Sequence, residues 1–244
     1  VSEIRRGVAI CTYNRDINEI VRAVRETVPS GTKVVVCDDG SNRDYRPEYT
    51  NVVEVRGPNL GVAANKNRAL FALQDCHYLC ILEDDLIPTD TGWFESYERA
   101  AQLSGIHHFC RVQDKLVPSQ APQFDAFMDS NNLHPTYGPS PRGDLTFLTA
   151  TVLRVVGGFN PLFRGVGYAH GEWSNRVQRA GLINHPNKWV DITEGGAKFK
   201  QIGDTEGGRW DEDEKKIRRQ LKRNSQVLKD CQRNEYTYHP LVLE

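Results

Sequence analysis

The chain has 244 residues, of which 39% are hydrophobic, and carries 31 lysines and arginines against 32 aspartates and glutamates, a net charge of −1. That composition excludes a disordered chain and fits one large α/β domain or two small ones. It also excludes recognition of a partner by global charge, and no apolar run reaches the roughly 18 residues of a membrane span.

Taken in chain order, "GVAICTY" reads as a buried strand and "INEIVRAVRETV" as an amphipathic helix. "KVVVCDDGS" is a second strand closed by a turn, "NVVEVR" a third, and "GVAANKNRALFAL" a helix of good helix formers. "HYLCILEDD" predicts a fourth strand and "TGWFESYERAAQLSG" a capped helix. Residues 113–146 are proline-rich with few apolar repeats and read as a long functional loop. Regular structure resumes at "LTFLTATVLRVVGGF", and "GEWSNRVQRAGL" predicts a helix ending at Gly181. The glycine-rich "EGGAKFKQIGDTEGGRW" reads as loop, and "DEDEKKIRRQLKRNSQVLKD" as a charged C-terminal helix. The six cysteines form no C-x-x-C pair and sit mostly in apolar stretches, as reduced small hydrophobes do. With no signal-peptide pattern, a soluble protein in the reducing cytoplasm is expected.

Strands alternating with helices imply right-handed crossovers and a mostly parallel sheet, whose ligands bind beyond the carboxyl ends of the strands. Strand two ends in Asp38–Asp39–Gly40–Ser41 and strand four in Glu83–Asp84–Asp85, so these acids share one rim. For Asp38 and Asp39 an ordinary turn is an equal reading. Three consecutive carboxylates repel by several kcal/mol per pair at about 4–5 Å and an effective dielectric near 20. A divalent cation relieves that cost, and Mn²⁺ or Mg²⁺ bound by one or two carboxylates and substrate phosphates is expected.

Six stretches occur in one order: "AICTYNR", "VVVCDDGS", "NLGVAANKNRAL", "LEDDLIP", "GGFNPLFRGVG" and "GEWSNRVQRAG". Together they resemble glycosyltransferase family 2, inverting enzymes of the GT-A (Rossmann-like) fold that use nucleotide-diphosphosugars, over residues 7–183. The resemblance implies that Thr12, Tyr13 and Arg15 line a nucleoside pocket, with Asp38 or Asp39 hydrogen-bonded to the base. It implies that Asn59, Gly61, Lys66 and Asn67 close over the nucleotide. Glu83, Asp84 and Asp85 match the metal-binding D-x-D motif, with Asp85 the expected ligand, Asp84 nearer sugar or ribose, and Glu83 departing from the usual Asp. Some members add a downstream histidine ligand, here His185.

An inverting transfer needs a general base for the acceptor hydroxyl. The family usually supplies it from an acidic pair before a helix ending near R-x-x-x-G. That pair is missing from "GYAHGEWSNRVQRAG", which leaves Glu172 as the expected base. His170 falls in the slot of one family acid and reads as base, partner or turn residue, and Asp144 is a more distant candidate. Trp173 is either a sugar platform or core. The expected layout is a GT-A domain over 1–205, with a nucleotide-binding half (1–112) and an acceptor half (113–205), then a charged helix and tail over 206–244. In that helix Ile217, Leu221 and Leu228 share one face, and its bases suit solvent, an anionic membrane surface or nucleic acid. The function expected is metal-dependent transfer from a nucleotide-diphosphosugar, most often UDP-linked, to the hydroxyl of a glycan, lipid-linked glycan or modified DNA base. A catalytically degenerate nucleotide-sugar-binding scaffold is the alternative.

Overall fold

The computed structural model describes residues 3–42, 51–112, 116–192, 198–202, 214–234 and 239–241. The first half alternates as the sequence predicts. β1 (Arg6–Thr12), β2 (Lys33–Asp38), β3 (Val53–Arg56) and β4 (Tyr78–Glu83) are separated by α1 (Asn18–Thr27) and α2 (Val62–Ala72). After a short β5 (Leu86–Pro88), α3 (Trp93–Ser104) packs Trp93, Phe94 and Tyr97 inward. The second half holds β6 (His108–Val112), α4 (Pro122–Asp129), β7 (Thr136–Tyr137), β8 (Pro141–Thr149), α5 (Ala150–Val156) and α6 (Ala169–Arg179). β9 (Val190–Asp191), β10 (Phe199–Gln201) and α7 (Glu214–Asn234) follow.

The fold is α/β. Six strands form one sheet in the order β3-β2-β1-β4-β8-β6. β1 pairs in parallel with β2 and β4, and β2 with β3, while β8 runs antiparallel to both β4 and β6. Thr12 lies beside Asp38, and Cys11 beside Glu83, so the strand ends share one rim. Because β8 is antiparallel, its start reaches that rim too: Asp144 lies one residue beyond the Leu82–Leu145 pair, beside Glu83.

The stretch "LTFLTATVLRVVGGF" divides into the end of β8 and all of α5, which stops at Gly157 with φ +75°, a backbone region where glycine carries no Cβ penalty. β6 escaped the sequence reading because "HHFC" is short and its two histidines mask the apolar pattern. The long loop over 113–146 is shorter than expected, holding α4, β7 and the start of β8, with 113–115 outside the described residues. All six cysteines are buried free thiols.

α2 departs from an ordinary amphipathic helix. Asn65, Lys66, Asn67 and Arg68 are all buried, four polar residues in succession. Asn65 Nδ2 donates to the Cys37 carbonyl at 2.8 Å, under the end of β2. Lys66 Nζ donates to the Gly143 carbonyl on β8 and lies 3.2 Å from Glu83 Oε1. Asn67 clips the Phe159 backbone from both sides, donating to its carbonyl at 3.0 Å and accepting from its N–H at 2.7 Å. Arg68 Nη1 meets Asp39 Oδ1 at 2.8 Å.

A buried ion pair broken at one partner leaves an uncompensated charge. Replacing Arg68 with Met is expected to destabilise the fold by about 3–5 kcal/mol, read by urea unfolding. A loss under about 1 kcal/mol would mean that Asp39 finds other compensation.

Candidate functional site

Two acids that the sequence offers as one pair divide at the end of β2. Asp38 Oδ1 accepts from the Ser41 N–H at 2.9 Å and the Ser41 hydroxyl at 2.5 Å, and Asp38 Oδ2 lies 3.3 Å from Arg56 Nε. Asp38 also lines a small cleft with Thr12, Arg15, Ile17, Val36, Ser41 and Glu54. Asp39 turns the other way. It accepts from the N–H groups of Leu60 (3.1 Å) and Gly61 (2.7 Å) and pairs with Arg68, which fixes the loop ahead of α2. Of the two expected base-binding acids, only Asp38 borders the cleft.

That loop meets the second half of the chain backbone to backbone. Gly61 (φ +98°) and Gly165 (φ +68°) form a bridge, and a Cβ on Gly61 would lie 2.1 Å from the Gly165 nitrogen. The glycines of "GGFNPLFRGVG" thus admit the chain's own loop. Asn59 is exposed beside it. Lys66 and Asn67, expected over the nucleotide, are instead buried braces.

The three carboxylates after β4 are also distinct. Asp84 Oδ2 accepts from the Thr12 hydroxyl at 2.7 Å and the Tyr13 N–H at 3.3 Å, and Asp84 Oδ1 lies 3.3 Å from Arg15 Nε. It therefore holds the loop after β1 and is not extended toward a sugar as expected. Burial raises its pKa to about 6, with the charge of neighbouring Asp85 adding to the rise, against the Thr12 bond and Arg15. Asp85 is buried at 3% exposure, and Glu83 keeps 28% of its side chain exposed beside Lys66. Three hard oxygen donors on one turn suit a divalent cation of the Mg²⁺ or Mn²⁺ kind.

His185 does not join them. Its ring is stacked on Tyr137 at 4.8 Å and set edge-on to Phe124 at 4.7 Å, and its Nδ1 accepts from the Asn187 N–H at 3.1 Å. A turn in a separate aromatic cluster, away from the carboxylates' partners, replaces the expected metal-ligand role.

The expected base is corrected as well. Glu172 is 2% exposed and forms a two-point pair with Arg176, at 2.7 Å (Nε–Oε1) and 3.1 Å (Nη2–Oε2). Arg176, fully buried, also donates to the Val156 and Gly158 carbonyls at 2.8 Å each. Both Glu172 oxygens are thereby committed inside the core, one helical turn from the arginine that the i, i+4 spacing selects. Trp173 is core too, stacked on Phe159 at 4.9 Å with its indole N–H donating to Gly157.

His170 faces the other way on α6. A Cβ placed on Gly143 would lie 3.3 Å from Lys66 Nζ, 3.4 Å from His170 Cβ and 3.6 Å from Glu83 Oε1, so these three groups converge on β8. Behind His170 runs a network that the sequence reading missed. Thr146 Oγ1 is 3.4 Å from His170 Nδ1, and Ser174 Oγ is 3.4 Å from His170 Nε2 and 3.1 Å from His108 Nε2. His108 Nδ1 donates to the Phe147 carbonyl at 3.1 Å, so its Nε2 must accept from Ser174. Cys110 lies in the same cluster, its ligand atom and those of the two histidines within 4.8 Å of one another. Burial lowers His108 to about 4 and drives His170 well below its ordinary value, Lys66 adding to both, so both rings are neutral.

Asp144 is 3% exposed, with Oδ2 held by Arg111 at 2.8 Å and Arg142 at 2.9 Å. Arg142 also donates to Gln201 at 2.8 Å, tying β8 to β10. Glu54 at the cleft had no sequence signal of its own.

A mixed sheet with this strand order, and carboxylates from β2, β4 and β8 on one rim, has the layout of the GT-A fold. Residues 7–107 match the model of the family described as glycosyl transferase family 2. The motif resemblance is borne out over that span, although its motifs extend to residue 183.

Among solved structures, GalNAc-T7 with UDP, GalNAc and Mn²⁺ is similar at a TM-score of 0.55 and 14% identity, over 69% of this chain and 39% of its own. The mannosyltransferase PcManGT from Pyrobaculum calidifontis, with GDP-Man and Mn²⁺, scores 0.47 at 17% identity, over 71% of this chain and 51% of its own. S. aureus TarS 1-349 scores 0.46 at 13% identity, over 67% and 52%. This chain therefore spans 39% of the first and about half of the other two. No curated protein matches the sequence. Among the described residues no helix is long and apolar enough to cross a membrane.

Buried neutral histidines set a pH dependence of known sign. An unfolded chain protonates His108 near pH 6.5, the folded one only near 4, so stability is full above 6.5 and falls as pH drops through that window. The expected loss is about 1.4 kcal/mol per pH unit between those limits. Unfolding of the native protein and of His108→Gln at pH 7 and pH 5 checks it. The difference between the two removes the opposing contribution of Asp84, whose raised pKa favours the folded state on acidification.

Proposed function

We propose that this chain transfers a sugar from a nucleotide-diphosphosugar to an acceptor hydroxyl with inversion at the anomeric carbon. The observation that carries the reading is the convergence of Asp38, Glu83, Asp84, Asp85 and Asp144 on one rim, with Asp84 raised to about 6 inside it. An anionic rim of that kind favours a divalent cation with an anionic ligand, and the fold similarity to a structure with UDP and Mn²⁺ supports the same pairing.

In this reading Asp38 and the cleft with Thr12, Arg15 and Ser41 take the nucleoside, as a carboxylate can accept from a base N–H. Asp84 sets the floor of that pocket through Thr12, Tyr13 and Arg15. Asp85, with Glu83 beside it, holds Mn²⁺ or Mg²⁺, which when bound offsets the charge of the departing diphosphate. Lys66 anchors Glu83 from below. UDP is the nucleotide assigned. The division into residues 1–112 for the donor and 113–205 for the acceptor follows from this layout, with the 205/206 boundary outside the described residues.

His170 is the base in place of Glu172. It sits in the first turn of α6, beside Lys66 and Glu83, and is neutral, so it carries a lone pair for the acceptor's proton. Its 3.4 Å links to Thr146 and Ser174 are long and exchangeable for an acceptor hydroxyl, as hydrogen bonds of unliganded sites often are.

Two measurements separate the parts. Asp85→Asn should abolish Mn²⁺-dependent UDP-sugar binding in calorimetry, and retention of that binding would remove Asp85 from the metal site. His170→Gln should keep donor affinity and lower kcat by at least about 100-fold, the scale of one general base. Glu172→Gln should instead cost about 3–5 kcal/mol of stability by stranding Arg176, with turnover of the folded protein kept. The opposite split would restore Glu172 as base.

A further inference from the structure

α7 concentrates charge in a chain that is otherwise acidic. Its 21 residues hold eight lysines and arginines against Glu214 and Asp230, a local charge of +6 in a protein of net −1. Lys216, Arg219, Gln220 and Arg223 lie at helical spacing and line a groove of about 460 Å³. At a 1.5 Å rise the stripe from Lys216 to Arg223 is about 10 Å long.

The groove adjoins a loop that also touches the entry to α2. The loop from Arg164 to Gly167 is clamped on one side by α7: Asn224 Nδ2 donates to the carbonyls of Arg164 (3.0 Å), Val166 (2.8 Å) and Gly167 (3.3 Å). Gln220 Oε1 accepts from the Val166 N–H at 3.3 Å. On its other side the same loop touches Gly61 through Gly165. Tyr168, 43% exposed with φ +67°, stands next to Gly167 and hence beside Leu221, which a Cβ on Gly167 would meet at 2.5 Å. A basic stripe with an exposed aromatic at its edge thus lies beside the loop that touches the entry to α2.

We infer that the groove along α7, beside the loop Arg164–Gly167, binds the phosphodiester backbone of single-stranded nucleic acid, which presents the acceptor hydroxyl to the rim. A bilayer surface fits less well. Val227, Leu228 and Cys231 pack on the core, and the exposed Leu221 with half-buried Ile217 is too small an apolar face for insertion. Along a single strand, cations at this spacing neutralise successive phosphates, and an exposed ring stacks on a base regardless of sequence. The acceptor role rests on the transferase reading, but binding does not depend on turnover.

The test is fluorescence anisotropy of a labelled 20-nucleotide single-stranded oligodeoxynucleotide between 50 and 200 mM NaCl. Micromolar binding is expected, with a log–log salt slope of about −2 for three phosphates. Lys216→Glu with Arg219→Glu should weaken it at least tenfold without moving the melting temperature, while Lys229→Glu, outside the groove, changes it less than threefold. The inference is overturned by no binding at 50 mM salt, by equal loss in both variants, or by tighter retention on anionic phosphatidylglycerol vesicles than on the oligonucleotide. Mn²⁺-dependent UDP-sugar binding, measured alongside, stands or falls separately and reports on the transferase reading alone.

Discussion

The architecture depends on α2 burying a run of polar side chains. A buried polar group without a partner is costly, so each of Asn65, Lys66, Asn67 and Arg68 must find one, and each finds it in a different part of the chain. Asn65 reaches under β2, Lys66 reaches β4 and β8, Asn67 the Phe159 backbone, and Arg68 the turn after β2. One helix thereby fixes the relative position of four segments that the hydrophobic core alone would let slide. Directional bonds set the register where packing area only sets proximity.

This bracing explains why neighbouring acids differ so much. Asp38 and Asp39 are adjacent and equally buried, at 5% exposure each, but Arg68 claims the second and leaves the first on the cleft. Asp84 is drawn back to Thr12 while Asp85 stays next to it, and burial, with a smaller contribution from the Asp85 charge, raises the pKa of Asp84. Glu172 and His170, two residues apart on α6, separate for the same reason: Arg176 is committed beneath the first, and nothing comparable reaches the second.

Much of this was legible in the sequence. Alternating apolar periods gave the parallel half correctly, and turn chemistry after β2 and β4 placed the acids on one rim. What periodicity cannot carry is the direction of a side chain within a polar helix. Lys66 and Asn67 look like ligand contacts in "NLGVAANKNRAL" because burial of polar residues on all faces has no periodic signature. Nothing in the sequence singles out Arg176, and its four bonds reveal Glu172 as its counter-charge. β6 was missed because the histidines at its start are polar by type, while the fold uses His108 as neutral core. His185 carried a family expectation onto a position whose surroundings are aromatic.

The contact between Gly61 and Gly165 also has a bearing on the order of assembly. The two loops lie about a hundred residues apart, and closing so distant a contact is slow compared with forming local helices and hairpins. The loop leading into α2 takes its bonds from Asp39 early, yet lacks its facing wall until the segment before α6 has arrived. During synthesis the first half can therefore pair β1 to β4 and still hold an open, unfinished loop ahead of α2. Maturation of that loop waits on the last third of the chain.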